Sequence, residues 1–188
     1  HFGHQVSRRH PKMDPYIFGE RNGVHIIDLE KTRAKLEEVL AAIQKMAVEG
    51  KIILFASTKP QARDIVKQAA IDCGMPYLVS RWLGGLITNF SELKKLIQKY
   101  NTMKTEQASG DWEKYTKKEQ IEFAKKLETM HETLAGLSSL TKLPDALFIP
   151  ALQREKTAVA EANKMNVAII GVADTNANPN KATLVIPA

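Results

Sequence analysis

The sequence predicts an α/β fold: a parallel sheet covered by helices on both faces, with a helical hairpin inserted into it. Three observations carry that prediction. Continuous apolar runs of strand length, such as Ile52-Ile53-Leu54-Phe55-Ala56, have the composition of strands buried on both faces. Segments of helical period alternate with them, the order expected of βα units. Between residues 91 and 140 the alternation breaks, and two amphipathic segments follow one another around a polar turn.

Residues 1–22 are rich in His, Arg, Pro and Gly, hold no sustained period, and read as an irregular, basic N-terminal arm. Residues 24–27 follow as a first strand ending at Asp28. Leu36, Val39, Leu40, Ile43, Met46 and Ala47 then recur at helical spacing until Gly50 stops the run. After the strand at 52–56, Pro60 suits a first helical turn, and Ala62, Ile65, Val66, Ala69, Ala70 and Cys73 form one stripe before Gly74. Residues 77–79 form a short third strand. Residues 145–149 form a fourth, 155–164 a helix, 167–173 a fifth strand and 183–186 a sixth.

In the interruption, Leu93, Leu96, Ile97, Tyr100 and Met103 mark one helix, and Ile121, Leu127, Met130, Leu134 and Leu137 mark a longer one. The polar turn Ala108-Ser109-Gly110-Asp111 joins them. This is an αα-hairpin whose narrow apolar seam has the character of a short coiled coil. The chain therefore divides into an arm (1–22), an α/β domain (23–90 and 141–188) and an inserted hairpin (91–140).

The 27 Lys and Arg against 21 Asp and Glu leave a formal net charge of +6. Such a balance favours polyanionic partners, nucleic acid first. Its distribution is more telling than its sum. The first twelve residues hold Arg8, Arg9 and Lys12 and no acid, whereas residues 91–140 hold nine basic and eight acidic residues. A lone cysteine, Cys73, excludes a disulfide framework and a cysteine-rich zinc site, and its stripe makes it a small core residue. No apolar run has the length of a membrane-spanning helix, and no secretory pattern is present. The start at His1 and the stop after a strand-like run suggest the ordered part of a longer protein.

An enzyme of this fold would work beyond the carboxyl ends of the strands. Those positions carry Asp28, Ser57-Thr58-Lys59, Ser80-Arg81-Trp82, Pro150-Ala151 and Asp174-Thr175-Asn176. The inventory holds neither a phosphate loop nor a dinucleotide fingerprint, because the glycines that admit a phosphate to backbone amides are missing. The histidines at 1, 4, 10, 25 and 131 lie away from a nucleophile. Asp28 and Asp174 as a magnesium-holding phosphoacceptor pair are the alternative reading; the plainer one makes them helix caps or turn residues. His1, His4 and His10 could bind a metal, but hydrogen bonding to backbone or phosphate is the simpler use. His131 reads as a solvated surface residue.

Five stretches carry a family resemblance. They are His1-Phe2-Gly3-His4 with Pro11-Lys12-Met13; residues 16–29, from Tyr16-Ile17-Phe18-Gly19-Glu20-Arg21-Asn22-Gly23 into Asp28-Leu29; Gly74-Met75-Pro76-Tyr77 running on to Arg81-Trp82-Leu83-Gly84-Gly85-Leu86-Ile87-Thr88-Asn89-Phe90; Leu143-Pro144-Asp145-Ala146-Leu147-Phe148; and Asp174-Thr175-Asn176. In order and over the whole chain, they resemble the ribosomal protein S2 family of the small subunit in its bacterial form. The resemblance implies a flavodoxin-like domain with a protruding coiled-coil hairpin. It also implies a non-catalytic, cytoplasmic component of the small ribosomal subunit without cofactor or small-molecule substrate. Its implied partners are 16S-type rRNA and other small-subunit proteins, ribosomal protein S1 among them, and no membrane.

The chain departs from the family pattern in places. Arg8-Arg9-His10-Pro11 stands where an Arg-Trp-Asn-Pro-like sequence is usual, and Pro60 where a second lysine is common. Ala151-Leu152, Asn178 and Thr183 replace usual acids, which weakens magnesium chemistry further.

The residues expected to touch RNA follow from charge, aromatic character and position. Arg8, Arg9, Lys12 and Arg21 can fork onto or pair with phosphates, and Asn22, His4 and His10 can hydrogen-bond them. Lys59 and Arg81 sit at strand ends. Tyr16 and Trp82 can stack on unpaired bases, with core packing as the competing role for Trp82. Core packing is the expected role of Phe18.

Overall fold

The computed structural model describes residues 2–188 and contains two sheets. Phe2–Gln5 (β1), Ile17–Arg21 (β2) and Val24–Ile27 (β3) form an antiparallel sheet with β3 in the centre. Asn22 and Gly23 join β2 to β3 with φ of 52° and 73°. This is the mirror-image turn whose twist suits a two-residue hairpin, and Asn-Gly is the pair that adopts it at least cost.

The N-terminal region differs from expectation in two ways. Residues 2–22 are not irregular: they supply two strands, separated by 3-10 segments at Val6–Arg8 and Pro11–Tyr16, the second of which buries Met13 completely. The strands are short and prolines lie between them, so no period can accumulate along the sequence. Residues 24–27 do form a strand, but it belongs to this sheet and not to the parallel one. Its alternation, with His25 and Ile27 buried and Val24 and Ile26 half-buried, is that of an antiparallel strand with one covered face.

Asp28 starts the helix Leu29–Val48 (α1), accepting the backbone N–H groups of Glu30 and Lys31 at 3.1 and 3.3 Å. The parallel sheet consists of Ile53–Ala56 (β4), Tyr77–Leu78 (β5), Ala146–Ile149 (β6), Ala168–Ala173 (β7) and Leu184–Pro187 (β8). Its order is β5-β4-β6-β7-β8 with every neighbouring pair parallel. That is the flavodoxin-like order, in which the first strand lies inside the second and the chain reverses direction between first and third.

Alternation along the strands sorts the side chains onto two faces. Ile53, Ala146 and Ile170 meet Val39, Ile43 and Met46 of α1, while Leu54, Leu147, Ile149 and Ile169 join the larger core on the other side. That larger core takes Ala158, Val159 and Ala162 from Lys156–Lys164 (α5). Helices thus cover both faces, as the sequence predicts. Thr32 Oγ1 donates to the Pro187 carbonyl at 2.8 Å and fixes α1 along β8.

The helix Arg63–Asp72 (α2) packs on β4 and β5 and buries only Val66 and Ala70. Its sequence holds two adjacent rows at i, i+4 spacing. The row Ala62-Val66-Ala70 faces the sheet, and the row Ile65-Ala69-Cys73 faces out, with Ile65 72% exposed. Cys73 is therefore an exposed cap residue, not part of the core.

The expected hairpin consists of Phe90–Ser109 (α3) and Lys117–Leu134 (α4). Gly110 leaves α3 in the left-handed region, and Thr116 with Glu119 opens α4 as a reciprocal capping box. Trp112 is buried at the tip against Phe123, ring centres 5.7 Å apart. His131 is not merely solvated: its Nδ1 lies 2.7 Å from the Tyr100 hydroxyl, whose pKa is pushed up by burial. At the base, a 3-10 turn at Ala135–Leu137 brings Gly136 against the backbone and ring of Tyr77 in β5.

Candidate nucleic-acid interface

The arm and the carboxyl edge of the parallel sheet meet. The His4 backbone N–H donates to Thr175 Oγ1 at 2.9 Å, and the His10 backbone N–H donates to the Thr175 carbonyl at 2.9 Å. His4 Nδ1 lies 2.6 Å from Asp174 Oδ2. Gly3 has no room for a Cβ beside the Thr175 side chain, so a glycine is needed where β1 crosses the sheet edge.

This junction decides what several candidate residues can do. His4 is engaged by Asp174, and His10 Nδ1 accepts the Lys12 backbone N–H at 3.3 Å as a local cap. Both therefore build the arm before they offer anything to a partner. Tyr16 is half-buried against the main core, and its backbone carbonyl accepts the Asp28 N–H. Lys12 lines a cleft of about 370 Å³ with Tyr16, Lys35 and Pro179, beside β8.

Arg8, Arg9, Arg21 and Asn22 are all exposed. The Val6 N–H donates to the Gly23 carbonyl at 3.0 Å, so the segment carrying Arg8 and Arg9 starts beside the turn that carries Arg21 and Asn22. Arg9 also pairs with Asp14 at 3.3 Å, with both side chains nearly half exposed. Such a solvated pair is worth little and does not withhold the guanidinium from a stronger partner.

Lys59 and Arg81 are exposed at the carboxyl ends of β4 and β5, on the same edge of the sheet as Thr175. Trp82 is half-buried and packs against the main core. Its indole N–H donates to Glu161 Oε1 at 3.0 Å, so its scaffold role is met. Glu161, from α5, also accepts the N–H groups of Gly85, Ile87 and Thr88 and the Thr88 hydroxyl, at 2.9 to 3.2 Å. Burial alone would raise the Glu161 carboxyl. The Trp82 indole and the three backbone N–H groups outweigh it and hold the pKa below the ordinary glutamate value. One carboxylate thus fixes the loop that carries Arg81.

Sequence reasoning misses three features of this surface. Phe18 is 78% exposed and Phe2 71% exposed, against the core role expected of Phe18. The register of β2 on β3 shifts between Ile17 and Gly19, and the extra residue turns Phe18 out. The Glu161 cradle has no local signal, because its donors lie some 75 residues earlier in the chain. Arg154 also stands at the strand-end edge, beyond β6, where its position as the base nearest the strand end is a usable signal.

The phosphoacceptor geometry is not assembled. Asp28 caps α1 from the end of a strand outside the parallel sheet, and Asp174 is bound by His4 and by the Thr175 N–H at 2.6 Å. Among the described residues no group of three or more His, Cys, Asp or Glu is placed to hold a metal ion. His1, the first member of the histidine set, lies outside the described residues. No helix among them is long and apolar enough to cross a membrane.

Fold and surface together define a flavodoxin-like α/β protein with a basic strand-end edge, an N-terminal antiparallel sheet and a helical hairpin. A family model for ribosomal protein S2 matches residues 1–188. The chain belongs to the ribosomal protein S2 family. It is 42% identical over 188 residues to the small ribosomal subunit protein uS2 of Parabacteroides distasonis, covering all of this chain and 68% of that relative. It is 44% identical over 187 residues to the protein of the same description from Salinibacter ruber, and there it spans 58% of the relative's length. Membership in a ribosomal protein family sets aside the enzyme reading built on Asp28 and Asp174.

Proposed function

We propose that this chain is a structural constituent of the cytoplasmic small ribosomal subunit that binds small-subunit rRNA through its N-terminal module and the adjacent sheet edge. The observation that supports this best is that Arg21 and Asn22 at the β2–β3 turn, and Arg8 and Arg9 on the segment that leaves that turn at Val6, are all exposed. Arginines carried on an ordered backbone present forked donors to phosphates with the backbone entropy already lost. Arg81, on the loop cradled by Glu161, extends the same surface, with Lys59 between. Lys12 and Tyr16 serve it from the β8 side, and Trp82, His4 and His10 serve mainly by positioning.

The protein partners are other small-subunit proteins, ribosomal protein S1 among them. Phe2 and Phe18 suit that role, since two large exposed aromatics on one small sheet offer apolar area that phosphates do not use. The functional division is an N-terminal module whose sheet runs to Ile27, a body that continues from α1 to residue 90 and over 141–188, and a nearly neutral hairpin of 91–140 reaching toward protein or solvent.

The test is co-sedimentation with small-subunit rRNA across a salt series, comparing the parent with Arg8→Ala combined with Arg9→Ala. Each phosphate left without its arginine should lower the slope of log affinity against log salt by about 0.7 to 0.9. A double variant with unchanged slope and affinity refutes the reading.

A further inference from the structure

We propose that the crevice at the carboxyl ends of β6 and β7, which Lys59 enters from the loop after β4, is a phosphate seat with Lys59 and Arg154 as its cations. The crevice has a volume of about 410 Å³ and is lined by Lys59, Gln153, Arg154, Asn176 and His4 among others. Its lining comes chiefly from the loop after β6, residues 150–154, and from the end of β7 with Asp174 and Asn176, and Lys59 reaches it from the loop after β4.

Two features make it a prepared seat. The first is a clip that holds the two cations at one mouth. Thr58 donates both its backbone N–H and its hydroxyl to Glu155 Oε1, at 2.6 and 2.7 Å, and Glu155 is only 4% exposed. Thr58 precedes Lys59 and Glu155 follows Arg154, so the bond between them fixes both cation-bearing loops. Thr58 engages Oε1 of the buried carboxylate, and neither cation forms an ion pair with it among the described residues.

The second feature is charge. Neither Lys59 nor Arg154 makes an ion pair among the described residues. The acid in the crevice wall, Asp174, already accepts from His4, the Thr175 N–H and the Thr175 hydroxyl. Asn176 also lines the wall, and its Oδ1 is buried without a hydrogen-bond partner. An ammonium and a guanidinium on one cleft of mixed polar and apolar lining match a phosphate, which takes a forked pair of hydrogen bonds from the guanidinium and a point charge from the ammonium.

The phosphate can come from an RNA backbone or from a free phosphorylated molecule, and the experiment separates the two. Backbone amide NMR shifts of the intact chain are followed during titration with inorganic phosphate, and separately with a small-subunit rRNA fragment. The parent is compared with Lys59→Ala, Arg154→Ala and the double variant, all changes at exposed side chains. Saturable shifts at residues 57–59, 150–154 and 174–176 with phosphate, weakened about tenfold per cation removed, are expected. If the RNA fragment moves the same amides and phosphate displaces it, the source is the backbone. If RNA leaves them unmoved while phosphate binds, the source is a free ligand. Absence of saturable shifts with both titrants overturns the seat. The RNA arm rests on the rRNA reading above and the phosphate arm does not. Loss of RNA binding in the arm variants beside an intact phosphate response would separate the two.

Discussion

Replacing Glu161 by alanine removes one acceptor from five donors at once. Thr88 is exposed, so its N–H and hydroxyl regain water at little cost. The Trp82 indole and the Gly85 and Ile87 amides, bonded at 3.0, 2.9 and 3.1 Å, are buried or half-buried and do not regain it freely. At about 1 kcal/mol for each stranded donor, the low end because two sites are only half-buried, the loss is about 3 kcal/mol. For a chain of this size that lowers Tm by roughly 6–12 °C. Glu161→Gln should cost less, since its amide oxygen still accepts while its NH2 faces the remaining donors.

The assay is denaturant unfolding followed by circular dichroism, with hydrogen exchange at Gly85, Ile87 and Thr88. The pH dependence supplies a second readout. The folded carboxyl lies below its ordinary value of 4.5, so its contribution is fully present above that value and is lost as pH falls through the folded value. The difference between parent and Glu161→Gln should therefore shrink as the solution is acidified below that point. A Glu161→Ala variant within about 0.5 kcal/mol of the parent, with unchanged exchange at the three amides, would refute the cradle.

Three other outcomes are expected. Gly136→Ala should destabilise by about 2 kcal/mol or more, because its Cβ would meet the Tyr77 backbone carbonyl, which cannot yield without moving β5. Gly171→Ala should cost less, since the atoms nearest its Cβ belong to the Leu152 side chain and not to backbone; equal losses in unfolding experiments would contradict this. Trp112→Ala should cost about 3 kcal/mol and raise hydrogen exchange around the hairpin tip more than in β7, since it removes the ring that packs on Phe123. Cys73 should react with a thiol reagent in the folded state at the rate of an exposed thiol, and protection until unfolding would show the α2 row assignment to be wrong.

The parallel sheet was legible because β4, β6 and β7 are apolar on both faces, and continuous apolar runs leave few other structures. The αα-hairpin was legible because its seam repeats over many turns. The N-terminal sheet was not, because each strand is four or five residues long and gains its meaning from partners across the chain. The same limit hid Phe18, whose direction depends on a register shift, and Cys73, whose row was one of two equally apolar rows. In the site, exposed arginines could be named from sequence. The distinction between Arg81, which is presented, and Trp82, His4 and His10, which are held, required the tertiary hydrogen bonds.

The hairpin also shapes how the chain comes together. β4 must pair with β6 although Ile52 and Asp145, bonded at 2.8 Å, are 93 residues apart. Closing so long a flexible loop is entropically costly and slows folding. α3 and α4 pack on each other locally, so they can form as soon as both have been synthesised, and a finished hairpin returns its end close to its start. Most of the intervening chain then counts as a short tether. Gly136, at the end of that hairpin, lands on Tyr77 and covers the two-residue edge strand β5 just before β6 is made. The insertion thus acts as a folding splint, shielding the β5 edge from other chains while it returns the third strand to the opposite side of β4.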